Sequence, residues 1–166
     1  MTSLPLTILH EQPADAPAIE RLQERAFGPG RYARSAYRLR EGVRFDPTLS
    51  FTAQVGTLLV GSNRMTPIVI GATPAMLLGP LVVDPAFRDR GIGRALIAAS
   101  MDAAAAIGHA LVMLVGDEPY YSRMGFSRIP EGRVTMPGPV DPDRMLWREL
   151  LAGATENVSG AAWKAF

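Results

Sequence analysis

From Met76 to Ile107 the chain reads as an apolar strand, a short turn and one long helix, and that order constrains the fold more than any other feature. Met76 to Val83 is strongly apolar, interrupted only by Gly79 and Pro80. Asp84 to Arg90 reads as the turn, Gly91 opens an alanine-rich helix, and Gly108 stands where a C-cap glycine belongs. A helix that starts directly behind a buried strand presents unpaired backbone N–H groups, and these, with the helix dipole, favour an anion. Gly91 and Gly93 allow the backbone to approach a phosphate closely, and Arg88, Arg90 and Arg94 add positive charge at the same spot.

Three phosphate-binding patterns compete for this segment. A P-loop needs Lys-Ser/Thr after its last glycine, and Arg94-Ala95 does not supply it. A dinucleotide fingerprint needs Gly or Ala three residues beyond the second glycine, where Leu96 stands. The pattern Arg/Gln-x-x-Gly-x-Gly/Ala is met in full by Arg88-Asp89-Arg90-Gly91-Ile92-Gly93. The bland alternative is an ordinary strand–turn–helix whose glycines are only structural. Pro80 sharpens the choice. It has no N–H for a sheet ladder, so its strand must be bulged, unpaired or at an edge there.

The rest of the chain reads as alternating short elements. Leu4–Leu9 is a first strand and 14–27 a helix with Asp15 as candidate N-cap, ended by Gly28-Pro29-Gly30. Arg31–Glu41 is a second helix, whose arginines read as a solvated face, with an acidic substrate as the alternative. Leu49–Val55 and Thr57–Arg64 are strands around a turn at Gly56, and Pro67–Gly71 continues or adds one. Leu111–Val115 is a buried strand, Tyr120–Met124 a short helix, Phe126–Ile129 a strand, Pro130–Pro142 a loop, and Met145–Leu150 the final strand. This is a mixed α/β fold (α+β sheet), expected as a single domain over 1–166.

Composition removes several function classes. Without cysteine there is no disulfide, no thiolate nucleophile and no Cys-based metal site, and His10 and His109 lack metal-ligand spacing. No metal is therefore expected. Seventeen basic residues against sixteen acidic ones give a net charge of +1, which argues against charge-driven nucleic-acid binding. No signal-peptide pattern and no apolar run long enough for a membrane span stands in the chain, so the expectation is a cytoplasmic protein with no membrane partner.

The Arg88–Gly93 pattern resembles the pyrophosphate loop of the GCN5-related N-acetyltransferases. A second match is Tyr121-Ser122-Arg123-Met124-Gly125-Phe126, similar to the Tyr-x-x-x-Gly-Phe that this family often carries. Leu78-Gly79-Pro80-Leu81, Gly116-Asp117-Glu118-Pro119-Tyr120-Tyr121 and the tail Trp163-Lys164-Ala165-Phe166 look like its YhbS-like group. The likeness is weakest from Arg31 to Phe45.

This resemblance implies an acyl-CoA N-acyltransferase fold with a splayed central strand pair, whose wedge lies between Met76–Val83 and Val112–Val115. It implies acetyl-CoA, or another acyl-CoA, as co-substrate. Leu81, Val82 and Val83 would meet the pantetheine arm. Arg88, Asp89, Arg90, Gly91, Ile92, Gly93 and Arg94 would meet the pyrophosphate, and Arg123 is carried over with them. A backbone N–H near Val82 or Val83 would stabilise the oxyanion. Tyr121 would be the general acid that protonates the departing thiolate, its phenol being protonated at neutral pH, while Tyr120 is read as packing. The acceptor would be a small-molecule or peptide amine, with room for a homodimer. Met76–Val83 holds no acid, and Asp117 and Glu118 are only the nearest in sequence to Tyr121, so the general base stays unassigned. A non-catalytic acyl-CoA-binding or sensor module of the same fold is the rival reading.

Overall fold

The computed structural model describes residues 5–30 and 34–165. Strand β1 (Leu6–His10) is followed by helices α1 (Ala16–Phe27) and α2 (Ser35–Arg40). Strands β2 (Phe51–Val55), β3 (Leu58–Ile70) and β4 (Thr73–Val83) come next, then helix α3 (Ile92–Ala106) and strand β5 (Leu111–Val115). The one-turn helix α4 (Glu118–Tyr121) precedes β6 (Ser127–Arg128), β7 (Val134–Thr135), β8 (Met145–Glu149) and β9 (Gly160–Lys164). The expected starts of the first strand at Leu4 and of the second helix at Arg31 lie outside the described residues, as does Phe166.

One mixed α/β sheet runs β1-β2-β3-β4-β5-β8-β6. Its neighbours are antiparallel except for the parallel pair β4–β5 at its centre. Helix α3 covers one face, where Ile97, Met101 and Ala104 meet Met65, Met76 and Val112, and Ile92 and Leu96 meet Phe51, Ala53 and Val60. On the other face, Leu39 of α2 joins Leu77, Met113 and Trp147. Successive residues of β5 thus enter opposite cores, as a central strand requires.

The sheet decides two points that the sequence left open or missed. Residues 58–70 form one strand, so of the two alternatives for Pro67–Gly71 it is the continuation that holds. The outer edge of β3 pairs with β2 as far as Asn63 and with β9 from Ile68. Pro67 lies in the interval between them, where a residue without an N–H is tolerated. The strand at Met145–Glu149 is also not the last. Gly160–Lys164 forms β9 on β3, despite a Gly-Ala-Ala start with little strand propensity, because it completes an open edge. The glycine-capped end of α3 is as expected. Gly108 has φ +92°, its N–H reaches Ala105 O at 3.1 Å and that of His109 reaches Ala104 O at 3.0 Å, a Schellman closure.

Candidate active site

The parallel pair at the centre of the sheet holds together for only two register pairs, Met76↔Val112 and Leu77↔Met113. Beyond Leu77, β4 stays on β3 as far as Val83, while β5 keeps only β8, with which it pairs throughout. The register between β3 and β4 shifts between Asn63 and Met65, opposite Gly79-Pro80, so the strand bulges where proline cannot extend a ladder. The result is the expected wedge, with one side of residues 78–83 open toward the gap. The N–H of Asp84 donates to Val60 O at 2.7 Å. Ladder groups alternate in direction along a strand. The N–H of Val82 therefore also faces β3, while those of Leu81 and Val83 face the gap. Of the two residues expected to supply an oxyanion donor, Val83 has that orientation and Val82 does not. Leu81 joins Val83.

Below the wedge, α3 begins at Gly91, whose φ of +77° suits glycine. The first bond of the helix is Ala95 N–H to Gly91 O at 3.0 Å. Helix geometry leaves the N–H groups of Ile92, Gly93 and Arg94 without intrahelical acceptors. They border a cleft of about 610 Å³. Its walls include every residue expected to meet the cofactor except Arg90: Leu81, Val82, Val83, Arg88, Asp89, Gly91, Ile92, Gly93, Arg94 and Arg123. The guanidinium of Arg90 lies 5.3 Å from the centre of the Phe87 ring instead. A strand edge with free donors, a helix N-terminus and three arginines match the amide-rich arm and diphosphate of an acyl-CoA thioester.

The two tyrosines of α4 diverge because consecutive helical residues point about 100° apart. Tyr121 turns inward and meets Phe126 edge to face, with ring centres 6.0 Å apart. Its ring covers Gly116 at the end of β5 so closely that no side chain fits there. Burial pushes its hydroxyl up to about 12, with Tyr120 and Asp117 adding to the shift and Arg144 and Arg40 opposing it. Tyr120 is not simply a packing residue. It is 46% exposed, and its hydroxyl lies where a Cβ on Gly93 would stand. Burial raises its pKa, while Arg94 pulls it the other way.

Above the wedge a second cavity of about 800 Å³ opens between α1, α2, the bulge of β4, the end of β5 and residues 139–144. Tyr121 lines it, and Leu81, Asp117 and Tyr120 border both cavities. Glu20, Asp117 and Asp141 are its carboxylates, and Arg34, Arg40, Arg64 and Arg144 its cations. Arg64 is held by Glu11 at 2.9 and 3.0 Å, and Arg144 lies 3.5 Å from Asp117. Of these residues, Asp117 alone was singled out from sequence as an acid candidate. Glu20, Gln23, Arg40 and Asp141 carry no motif, and only the packing of their segments brings them together. Among the described residues no cluster of His, Cys, Asp and Glu could hold a metal ion, and no helix is long and apolar enough to cross a membrane.

Residues 48–128 match the model of the acetyltransferase (GNAT) domain. The uncharacterized N-acetyltransferase YhbS of Escherichia coli (strain K12) is 32% identical over 118 residues, 70% of each chain. The crystal structure of E. coli YhbS in complex with CoA aligns with a TM-score of 0.83 at 27% identity, over 99% of this chain and 92% of that one. A GNAT family acetyltransferase from Brucella melitensis in complex with acetyl-CoA aligns with a TM-score of 0.60 at 26% identity, over 92% of this chain and 99% of that one.

Proposed function

The chain belongs to the GNAT acetyltransferase family, and from that premise we propose that it moves an acetyl group from acetyl-CoA directly onto an amine held in the larger cavity. The observation that carries this reading is the wedge. It joins the cleft at the α3 N-terminus to a cavity lined by Tyr121, so a thioester threaded through it would meet an acceptor at Leu81 and Tyr120. CoA-bound relatives support the cleft as the cofactor side.

In this reading Arg88, Arg94, Arg123 and the first N–H groups of α3 hold the diphosphate. The N–H of Val83 pairs with the pantetheine arm as an added strand would. The N–H of Leu81 stabilises negative charge as it develops on the thioester oxygen. The amine attacks in its neutral form, with Glu20, Asp117 or Asp141 taking its proton directly or through water. Tyr121 protonates the departing thiolate. A phenol pushed up to about 12 keeps its proton at neutral pH and can hand it to the sulfur as the C–S bond breaks, recovering a proton from solvent afterwards.

The test is thiol release from acetyl-CoA with a panel of amines, corrected for hydrolysis. Amine-dependent release is expected. Tight binding of acetyl-CoA with no release for any amine would replace this reading with that of a binding module.

A further inference from the structure

Arg40 is a half-buried charge that the reaction above leaves unused. It closes α2, a helix held in place on three counts. Leu39 is fully buried, Ser35 Oγ donates to Pro139 O at 2.5 Å, and Arg38 Nη1 donates to Pro137 O at 3.0 Å. From there the guanidinium reaches the bulge of β4. A Cβ added to Gly79 would lie 2.8 Å from Arg40 Nη2, and the φ of +118° at Gly79 belongs to glycine. Arg64 and Arg144 in the same cavity have carboxylate partners, but Arg40 has none among the described residues. Its Nε is buried and unbonded, and so is Nε2 of Gln23, which lines the same cavity. Desolvation pushes the Arg40 guanidinium down to about 10, and Arg34 acts in the same direction, yet at neutral pH it stays charged. A buried donor without an acceptor is costly, and two around one cavity, one of them cationic, point to an anion supplied from outside.

We propose that the acceptor is a small amine that also carries a carboxylate, and that Arg40 and Gln23 hold this carboxylate beside Gly79. The proposal rests on the acetyl-transfer reading and names the acceptor class for the same site. The planar guanidinium offers a fork that fits a carboxylate, and the Gln23 amide adds a neutral donor. Asp141 elsewhere in the lining, with Asp117 shared with Arg144, favours an ammonium group at the other end of the molecule. A zwitterion of amino-acid type satisfies both ends. A polyamine would leave Arg40 unpaired and bring further positive charge to it.

The experiment compares amino acids with their decarboxylated amines at saturating acetyl-CoA. Wild type should favour the carboxylated member of each pair by about tenfold or more in kcat/KM, the worth of a hydrogen bond to a charged group. In Arg40→Gln that ratio should fall toward one. Arg40→Lys keeps the charge without the fork, should lie between, and serves if the glutamine variant does not fold. A second readout needs no turnover. With CoA present, N-acetyl amino acids should raise Tm in wild type more than the matching N-acetyl amides do, and not in Arg40→Gln. Amine-dependent thiol release without a carboxylate preference would overturn the carboxylate site and leave acetyl transfer standing. A carboxylate-dependent Tm rise with no turnover would do the reverse. Equal losses for both members of each pair in Arg40→Gln would give Arg40 a structural role only.

Discussion

The two cavities that meet at Leu81 and Tyr120 are built on opposite plans. The cleft below the wedge is mostly one stretch of chain, within residues 81–94, closed by Ala26 and Phe27 of α1 and by Asp117, Tyr120, Arg123 and Met124. Its main donors are backbone groups, exposed because β5 leaves β4 and because a helix begins. The cavity above the wedge is assembled from α1, α2, β3, β4, β5 and residues 139–144, and its donors and acceptors are side chains. A ligand gripped through the backbone needs glycines and a helix terminus. A ligand gripped through side chains needs distant segments to converge. The first requirement leaves a local pattern in sequence and the second does not.

The sharpest test of this division is Tyr121→Phe. The hydroxyl belongs to the chemistry and not to the cofactor grip, so turnover should fall about a hundredfold while the Tm rise with acetyl-CoA is kept. Tyr120→Phe should do the opposite, with a few-fold change in KM for acetyl-CoA and little in kcat, because its hydroxyl overhangs Gly93. Near-normal turnover in Tyr121→Phe would move the proton donor to water and blur the division.

Next in size is Gly116→Ala. The new methyl group would overlap the Tyr121 ring and force it aside, lowering kcat on the order of tenfold through misplacement alone. Combined with Tyr121→Phe it should add almost nothing, since both act on one group. Additive losses would show that Gly116 acts elsewhere.

A smaller effect separates the two glycines of the cleft. Gly91 has open space around it but a left-handed backbone, so Gly91→Ala should cost about 1 kcal/mol and lower Tm by about 2–4 °C. Gly93 has a conventional φ, but a methyl group there meets the Tyr120 hydroxyl. Gly93→Ala should raise KM for acetyl-CoA with less loss of Tm. The same profile for both variants would mean that these glycines serve the turn alone.

The smallest effect is alkaline. An unfolded tyrosine ionises near pH 10, whereas Tyr121 keeps its proton to about 12, so rising pH favours the unfolded chain across that window. Arg40, lowered to about 10, contributes the opposite slope there, so the comparison must be made between variants. Relative to wild type, Tyr121→Phe should gain about 1 kcal/mol between pH 9 and pH 11 in denaturant unfolding. A constant difference would mean that Tyr121 is solvated.

The stretch from Met76 to Gly108 was legible in sequence because each of its features has a local cause. Pro80 cannot extend a ladder, Gly91 takes a left-handed cap, and Gly108 closes α3. The place of Tyr121 after β5 followed from its spacing to Gly125-Phe126. Tertiary structure decided the rest. Pro67 sits inside β3 only because the partners on the strand's outer edge stop at Asn63 and resume at Ile68. The Gly160–Lys164 segment is a strand only because β3 has an edge to fill. Val82 turns its N–H to β3 because the ladder alternates from Asp84. Tyr120 faces Gly93 because one residue of helix rotation separates it from Tyr121. Arg40 read as part of a solvated arginine face, and α2 instead carries it to the wall beside Gly79. Local pattern encodes where a backbone must bend, cap or break, because those constraints act between near neighbours. Which side chains share a cavity depends on contacts between residues far apart in the chain, such as Gln23, Arg40 and Asp141.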